Sequence, residues 1–229
     1  MPDVTIYGSR LSPFVEKVCR VADYKRIPYA LAELGLRDLA RTNPVTRKIP
    51  VVRVEDETVY DSTFILRRFD ALSPDPPLFA ADPEVAAAQR MLEDWCDESL
   101  YWQIMALRWC DENAARTVAQ MSPYVPAPAR PFAGPLLRRM IGSTAKAQGM
   151  GRLPHDVLIR EIAANLDDLV TLLGSRAFFY ADRPGAADFA LFGELATGCS
   201  GATPDFEGLV AARPPLADWR KRVEDATSH

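Results

Sequence analysis

The chain has 229 residues, 25 % of them charged, with 31 acidic against 27 basic side chains and a net charge of −4. That length can bury the core of one large domain or two small ones, and the acidic balance argues against a protein that holds phosphate backbones. No basic and then apolar leader opens the sequence, and no window approaches the roughly 18 uninterrupted apolar residues of a membrane span, so a cytoplasmic protein with no nucleic-acid and no membrane partner is expected. Cys19, Cys96, Cys110 and Cys199 are scattered without a CxxC pair, and only His155 and His229 could join them as ligands; neither a metal site nor a disulfide framework is expected.

In chain order, "VTIY", residues 4–7, reads as a first strand. "SRLSPFVEKVCRV", residues 9–21, turns at once into a helical pattern, with Phe14, Val18 and Val21 or Ala22 on one face of a helix expected over 13–25. Ser12 is a favoured N-cap and Pro13 a favoured first helical residue; a hydroxyl in that place can also attack, or hold another molecule's nucleophile. "YALAEL", from Tyr29, returns as a parallel second strand and completes a βαβ unit. "RDLARTNP" offers a short helix or turn ending at Asn43-Pro44.

"IPVVRV" and "ETVY", divided by the acidic "EDE", read as a hairpin. Pro50 cannot donate to a ladder and so belongs at the strand's first position. A cis Ile49-Pro50 bond would turn the Ile49 backbone outward, where it could pair with an extended peptide. "DSTFILRRFDAL" then begins with the capping pair Asp61-Ser62 and carries Phe64, Ile65, Leu66, Phe69 and Leu72, as a helix packed on the sheet would. Its free N–H groups and dipole favour an anion such as a carboxylate.

"SPDPPLFAADP" has neither period and marks a boundary. The division expected is an α/β domain over 1–73, a linker over 74–83 and an all-α domain over 84–229. Helices are expected from 84 to about 120, over 136–147, 155–174 and 186–198, and from about 214. The five prolines of "SPYVPAPARPFAGP", residues 122–135, point to a loop there, either a surface connection or a cover over a substrate site. Trp95, Trp102 and Trp109 recur every seven residues along one drifting stripe.

The ordered set "SPFVEKV", "NPVTRKIPVV" and "YDS", followed by "FFYADRPGAADFALFGEL" and "RPPLADWRKRV", resembles the glutathione S-transferases over essentially the whole chain. The N-terminal motifs are similar to the serine-type, tau-like members. "AQGMGRLPHDVLIREIAANLDDL" and the segment after it are also loosely similar to metaxin-like and failed-axon-connections-like relatives of the same broad fold. The resemblance implies a thioredoxin-like N-terminal domain, βαβ then ββα, followed by an all-α domain. It implies glutathione as co-substrate, with Ser12 donating its hydroxyl hydrogen to the glutathione sulfur and Phe14 beside it. Ile49 would pair through its backbone with the cysteinyl unit, next to a cis Pro50. Lys48 would approach the glycyl carboxylate, and Asp61 and Ser62 would hold the γ-glutamyl end. Two positions depart from the family pattern: Asp61 replaces a glutamate or glutamine, and Gly185 replaces the Ser or Thr that caps the buried helix whose Asp188 is kept. Glycine at a cap costs only tenths of a kcal/mol.

The implied chemistry is thermodynamically modest. A free thiol of pKa about 8.5 is only about 3 % thiolate at pH 7, and a hydroxyl donor at a helix N-terminus need supply about 2.7 kcal/mol to lower that pKa by about two units. Serine at position 12 cannot enter a mixed disulfide, which favours conjugation, dehalogenation or peroxide reduction. Tyr101, Met105 and Arg108, at i, i+4 and i+7, are expected to line an acceptor pocket for a small-molecule electrophile, apolar or aromatic, with one cationic corner. The resemblance also implies a homodimer. The reading is therefore a cytoplasmic glutathione transferase, and the alternative is a non-catalytic binding or scaffold protein that keeps the fold.

Overall fold

The β-rich runs of the first sixty residues form one sheet. In the computed structural model, which describes residues 3–34, 39, 41–125, 128 and 130–228, β1 is Val4–Tyr7, β2 Ala30–Ala32, β3 Val51–Val54 and β4 Glu57–Tyr60. The strand order is β2-β1-β3-β4. β1 runs parallel to β2, with Ile6 opposite Leu31, and antiparallel to β3, with Ile6 opposite Val52. β3 and β4 close the expected hairpin, Val52 opposite Val59. Helix α1 (Pro13–Tyr24) links the parallel pair, and α2 (Ser62–Leu72) follows β4. Ile6, Val15, Val18, Val21, Val52, Ile65, Leu66 and Phe69 are all fully buried, so the period-2 strands and the 3.6-period helices meet on one apolar core. This is the thioredoxin-like order βαβ, then ββα. The turn expected in "RDLARTNP" falls partly outside the described residues.

Beyond β4 every regular element among the described residues is a helix, apart from an isolated bridge between Phe178 and Ala181. α3 is Pro83–Trp95, α4 Tyr101–Trp109, α5 Ala114–Met121, α6 Arg130–Gln148, α7 His155–Leu173, α8 Ala186–Gly198, α9 Pro204–Ala211 and α10 Pro214–Ala226.

Two expectations need correction. The helix from 84 to about 120 is not continuous: a π turn occupies Cys96–Leu100 and the helix stops at Trp109. The stop is built from polar side chains. Asn113 Nδ2 and Cys110 Sγ both donate to the Leu107 carbonyl, at 3.1 and 3.0 Å, and Thr117 Oγ1 donates to the Arg108 carbonyl at 2.7 Å, satisfying acceptors that a helix end leaves open. The π turn also falls between Trp95 and Trp102, so the seven-residue spacing does not run along one unbroken α-helix. The second correction concerns the proline-rich segment. It holds a 3₁₀ turn, Ser122–Tyr124, but α6 begins at Arg130 and runs through Pro135. Pro135 is the sixth residue of α6, past the first turn, so the helix runs on there without one of its interior N–H donors.

The chain forms two compact units that interleave along the sequence. One comprises Met1–Asp94, Ser175–Thr197 and Asp218–His229, the other Trp95–Gly174 and Gly198–Ala217; the sequence-based division at 73–84 cuts the chain once. In the first unit Asp188 is fully buried and its carboxylate accepts from the Gly185 and Phe179 N–H groups, at 2.9 and 3.0 Å, and from Trp219 Nε1 at 2.7 Å. Glycine at 185 is a steric requirement: a β-carbon there would stand 2.8 Å from the Leu78 carbonyl oxygen and 3.1 Å from Gln89 Nε2. In the second unit Asn165 donates to Gln103 Oε1 at 3.0 Å and Arg213 donates to Asp167 and to the Ala163 carbonyl, each at 2.8 Å, around a core that includes Ile104, Leu107, Ile162 and Leu166.

Candidate functional site

Ser12 sits at the N-cap position of α1 with an extended backbone, φ −84° and ψ 128°, and Pro13 opens the helix. Its carbonyl accepts the Glu16 N–H at 3.0 Å, but its hydroxyl makes no cap hydrogen bond. This departs from the plain cap expected of a Ser-Pro pair. The half-buried Ser12 hydroxyl is therefore not spent on its own helix.

The loop that carries Ser12 is fixed by a set of charged side chains around it. Arg10 donates to Glu16 Oε2 at 2.9 Å and to the Tyr29 hydroxyl at 2.7 Å, and Arg20 donates to the other Glu16 oxygen at 2.7 Å. Glu16 is buried, so both its oxygens are matched by guanidinium donors, as burial of a carboxylate requires. Arg20 also lies over the Phe192 ring, 4.6 Å from its centroid. On α8, Gly193 leaves room for the Pro13 carbonyl: a β-carbon at 193 would stand 2.3 Å from that oxygen. α8 thus meets the first turn of α1 backbone to backbone, one residue from Ser12.

The segment that leads to Pro50 is organised by Asn43. This side chain is fully buried; its Nδ2 donates to Thr46 Oγ1 at 2.6 Å and to the Lys48 carbonyl at 2.9 Å, and its Oδ1 accepts the Thr46 N–H at 2.9 Å. One amide thereby closes the turn and sets the peptide that joins Lys48 to Ile49. The Lys48 side chain is exposed, Ile49 is half-buried and Pro50 is buried. The Ile49-Pro50 bond is cis, and Ile49 lies just before the paired residues of β3, which begin at Val51 opposite Tyr7.

At α2, Asp61 is the N-cap, and its Oδ1 accepts the Thr63 N–H at 3.0 Å. Its φ of 74° is in the left-handed region, which costs a non-glycine residue about 1 kcal/mol or more. Asp61 is exposed and Ser62 is buried at the helix start. Thr63, the next residue, donates through Oγ1 to Glu93 Oε1 at 3.1 Å, and the same oxygen receives Lys17 Nζ at 2.8 Å. Lys17 and Glu93 are both buried. A single carboxylate on α3 therefore ties Lys17 of α1 to Thr63 of α2, the two helices whose N-terminal ends carry Ser12 and Ser62.

Of the acceptor residues, Tyr101 and Met105 are half-buried and Arg108 is buried. Arg108 donates to Ser200 Oγ at 2.9 Å and to Gln120 Oε1 at 2.6 Å, and burial pulls its pKa down while Tyr101 opposes that shift. None of these three lines the cleft of about 1080 Å³ in the second unit, whose walls include Ala106, Trp109, Cys110, Arg138 and His155.

Arg10, Glu16, Asn43, Glu93 and Gly193 were not singled out from the sequence. Asn43 stood inside the quoted "NPVTRKIPVV" and could have been found by asking what satisfies the backbone of a turn before a proline. Glu93 and Gly193 act across long stretches of chain and leave no local signature.

Residues 6–77 match the family model described as glutathione S-transferase, N-terminal domain. The isoprene-epoxide–glutathione S-transferase of Rhodococcus sp. (strain AD45) is 24 % identical over 96 % of this chain and 97 % of its own length. Glutathione transferase GST 23 of Zea mays is 34 % identical over 43 % of this chain and 48 % of its own length. Among solved structures, the tau class glutathione S-transferase of mango, Mangifera indica, superposes with a TM-score of 0.64 at 22 % identity, over 99 % of this chain and 93 % of that one.

Proposed function

Because the chain belongs to the glutathione S-transferase family, we propose that this glutathione transferase activates the thiol of glutathione through the Ser12 hydroxyl for attack on an electrophilic small molecule. The observation that carries the reading is the Ser12 hydroxyl, at the N-terminus of α1 and unused as a cap of that helix. A hydroxyl that donates to sulfur, together with the helix N-terminus, favours thiolate over thiol. Phe14 flanks it in sequence. The Ile49 backbone would pair with the cysteinyl unit and the exposed Lys48 ammonium would meet the glycyl carboxylate. Asp61, whose second carboxylate oxygen is not the one that accepts the Thr63 N–H, would meet the γ-glutamyl ammonium, and Ser62 the carboxylate of the same end.

The attack forms a sulfur–carbon bond to the acceptor, whose leaving group or opened epoxide oxygen takes the electron pair. A full-length relative named for isoprene epoxide supports a small apolar electrophile as acceptor. Tyr101 and Met105 would contact it, with Arg108, held by Ser200 and Gln120, supplying positive charge behind Tyr101. The same reading takes residues 1–73 as the glutathione-binding domain and the working form as a cytoplasmic homodimer.

The test is the ultraviolet thiolate absorbance of bound glutathione as a function of pH, in the parent and in Ser12→Ala. The parent should hold a thiol pKa about two units below that of free glutathione, and the variant should lose most of that depression and about 100-fold in kcat/KM. Absence of glutathione binding sinks the proposal. Binding without turnover of a broad electrophile panel would favour the scaffold alternative.

A further inference from the structure

Cys110 and Glu112 share one turn and His155 lies more than forty residues further along the chain, yet each brings one ligand atom to a common point: Sγ, a carboxylate oxygen and a ring nitrogen, all within 4.8 Å of one another. All three line the cleft of the second unit. We propose that these residues form a divalent transition-metal site, with zinc the fitting ion, that leaves one coordination position open to the cleft.

The donor set selects the ion. Thiolate and imidazole suit zinc, and a three-residue site with a free fourth position is the pattern of zinc that keeps a water or a substrate. Ligand atoms about 3.3–3.8 Å apart satisfy a tetrahedron with metal–ligand bonds of about 2.0–2.3 Å, so side-chain rotation of about 1 Å closes the present arrangement. The backbone beneath is already set. The Cys110 carbonyl accepts from both Asn113 N and Ala114 N, at 3.2 and 2.9 Å, and Asn113 is anchored to the Leu107 carbonyl.

The surroundings fit as well. Asp205 Oδ2 lies 3.3 Å from His155 Nε2, which makes no hydrogen bond in this arrangement; a small rotation would make Asp205 the carboxylate partner that orients a metal-bound imidazole. Asp111, the residue between the two ligands of the turn, is occupied by Arg138, which leaves Glu112 to the site. A bound dication favours the thiolate form of a coordinating cysteine. On binding, the Cys110 S–H proton passes to solvent, a sulfur–metal bond forms with the sulfur lone pair, and the thiolate and the Glu112 carboxylate together neutralise the ion.

The test uses the full chain, stripped with a chelator and titrated with Co²⁺ as a spectroscopic substitute for zinc. One equivalent should bind, with a thiolate-to-cobalt charge-transfer band that Cys110→Ser abolishes and Cys199→Ser keeps; His155→Gln should weaken binding at least tenfold. On the parent protein, needing no variant to fold, Zn²⁺ should slow alkylation of Cys110 at least tenfold relative to Cys199, read by peptide mass spectrometry. No charge-transfer band, a band that survives Cys110→Ser, or equal alkylation with and without Zn²⁺ would overturn the proposal.

Discussion

Lys17 Nζ donates to Glu93 Oε1 at 2.8 Å with the two side chains 1 % and 3 % exposed, and Thr63 shares the same oxygen at 3.1 Å. The pair is buried deeply enough that neither charge has water as a substitute partner. Removing one member leaves the other uncompensated, which costs about 3–5 kcal/mol, whereas replacing both by apolar groups of similar volume is often neutral. Lys17→Met should therefore destabilise by about that much in urea denaturation at neutral pH, and Lys17→Met with Glu93→Leu should recover most of the loss. A double variant as unstable as the single one would show that the carboxylate is needed for Thr63 and α2 and not only for Lys17.

Asn43 should behave as a positioning residue for Lys48 and Ile49. Asn43→Ala leaves the Lys48 carbonyl and the Thr46 N–H without the partners they have at 2.9 Å, at a cost of about 1–3 kcal/mol for each group that stays buried and unsatisfied. Because Lys48 is proposed to meet the glycyl carboxylate, KM for glutathione should rise about tenfold, about 1.4 kcal/mol, with a smaller change in kcat. Steady-state kinetics with glutathione varied at saturating acceptor separate the two constants. Unaltered KM in a destabilised but folded variant would reduce Asn43 to a purely structural role.

How much of this was legible in the sequence follows the range over which each residue acts. The four strands, α1, α2, α7, α8 and α10 lay in local periodicity, and the Ser12, Pro50 and Asp61-Ser62 set lay in local turn and cap chemistry, because caps and prolines constrain their own neighbours. The break after Trp109 did not: "CDEN" contains neither glycine nor proline, and the stop is made by side chains reaching back to the Leu107 and Arg108 carbonyls. Glu93, Gly193 and the Cys110–Glu112–His155 cluster were hidden for the same reason, since each becomes meaningful only against a group 30 to 180 residues away. The spacing of cysteines and histidines pointed away from a metal site because the cluster draws its third ligand from a carboxylate.

Gly185 shows how the family comparison can mislead about energetics. As a substitute for a serine or threonine cap it should cost only tenths of a kcal/mol, and reinstating the hydroxyl should then stabilise. The packing predicts the opposite. A β-carbon at 185 would approach the Leu78 carbonyl oxygen to 2.8 Å, and that oxygen is already held at 3.0 Å by the Ala186 N–H, so the backbone has to give way. Gly185→Ser should lower stability by about 1–3 kcal/mol, read from the urea midpoint at unchanged m-value. A gain in stability would refute the steric account.

Asp188 carries the pH prediction. Burial pushes its carboxyl up to about 6 from an ordinary 3.8, against the opposing pull of the Gly185 and Phe179 N–H groups and of Trp219. Between those two values the folded chain keeps a proton that the unfolded chain has released, so the unfolded state binds fewer protons and stability falls as pH rises. The contribution is fully present below the unfolded value near 3.8 and is lost as pH passes through about 6. The gap corresponds to about 3 kcal/mol, an upper value because the three donors already stabilise the ionised form. Other carboxylates titrate over the same range, so the informative quantity is the difference in unfolding free energy between the parent and Asp188→Asn, which keeps the shape but cannot ionise. That difference should shift against the parent by about 1–3 kcal/mol between pH ~4 and pH ~7. A flat difference would mean that Asp188 is ionised throughout, held by its three donors as a buried anion at the N-terminus of α8.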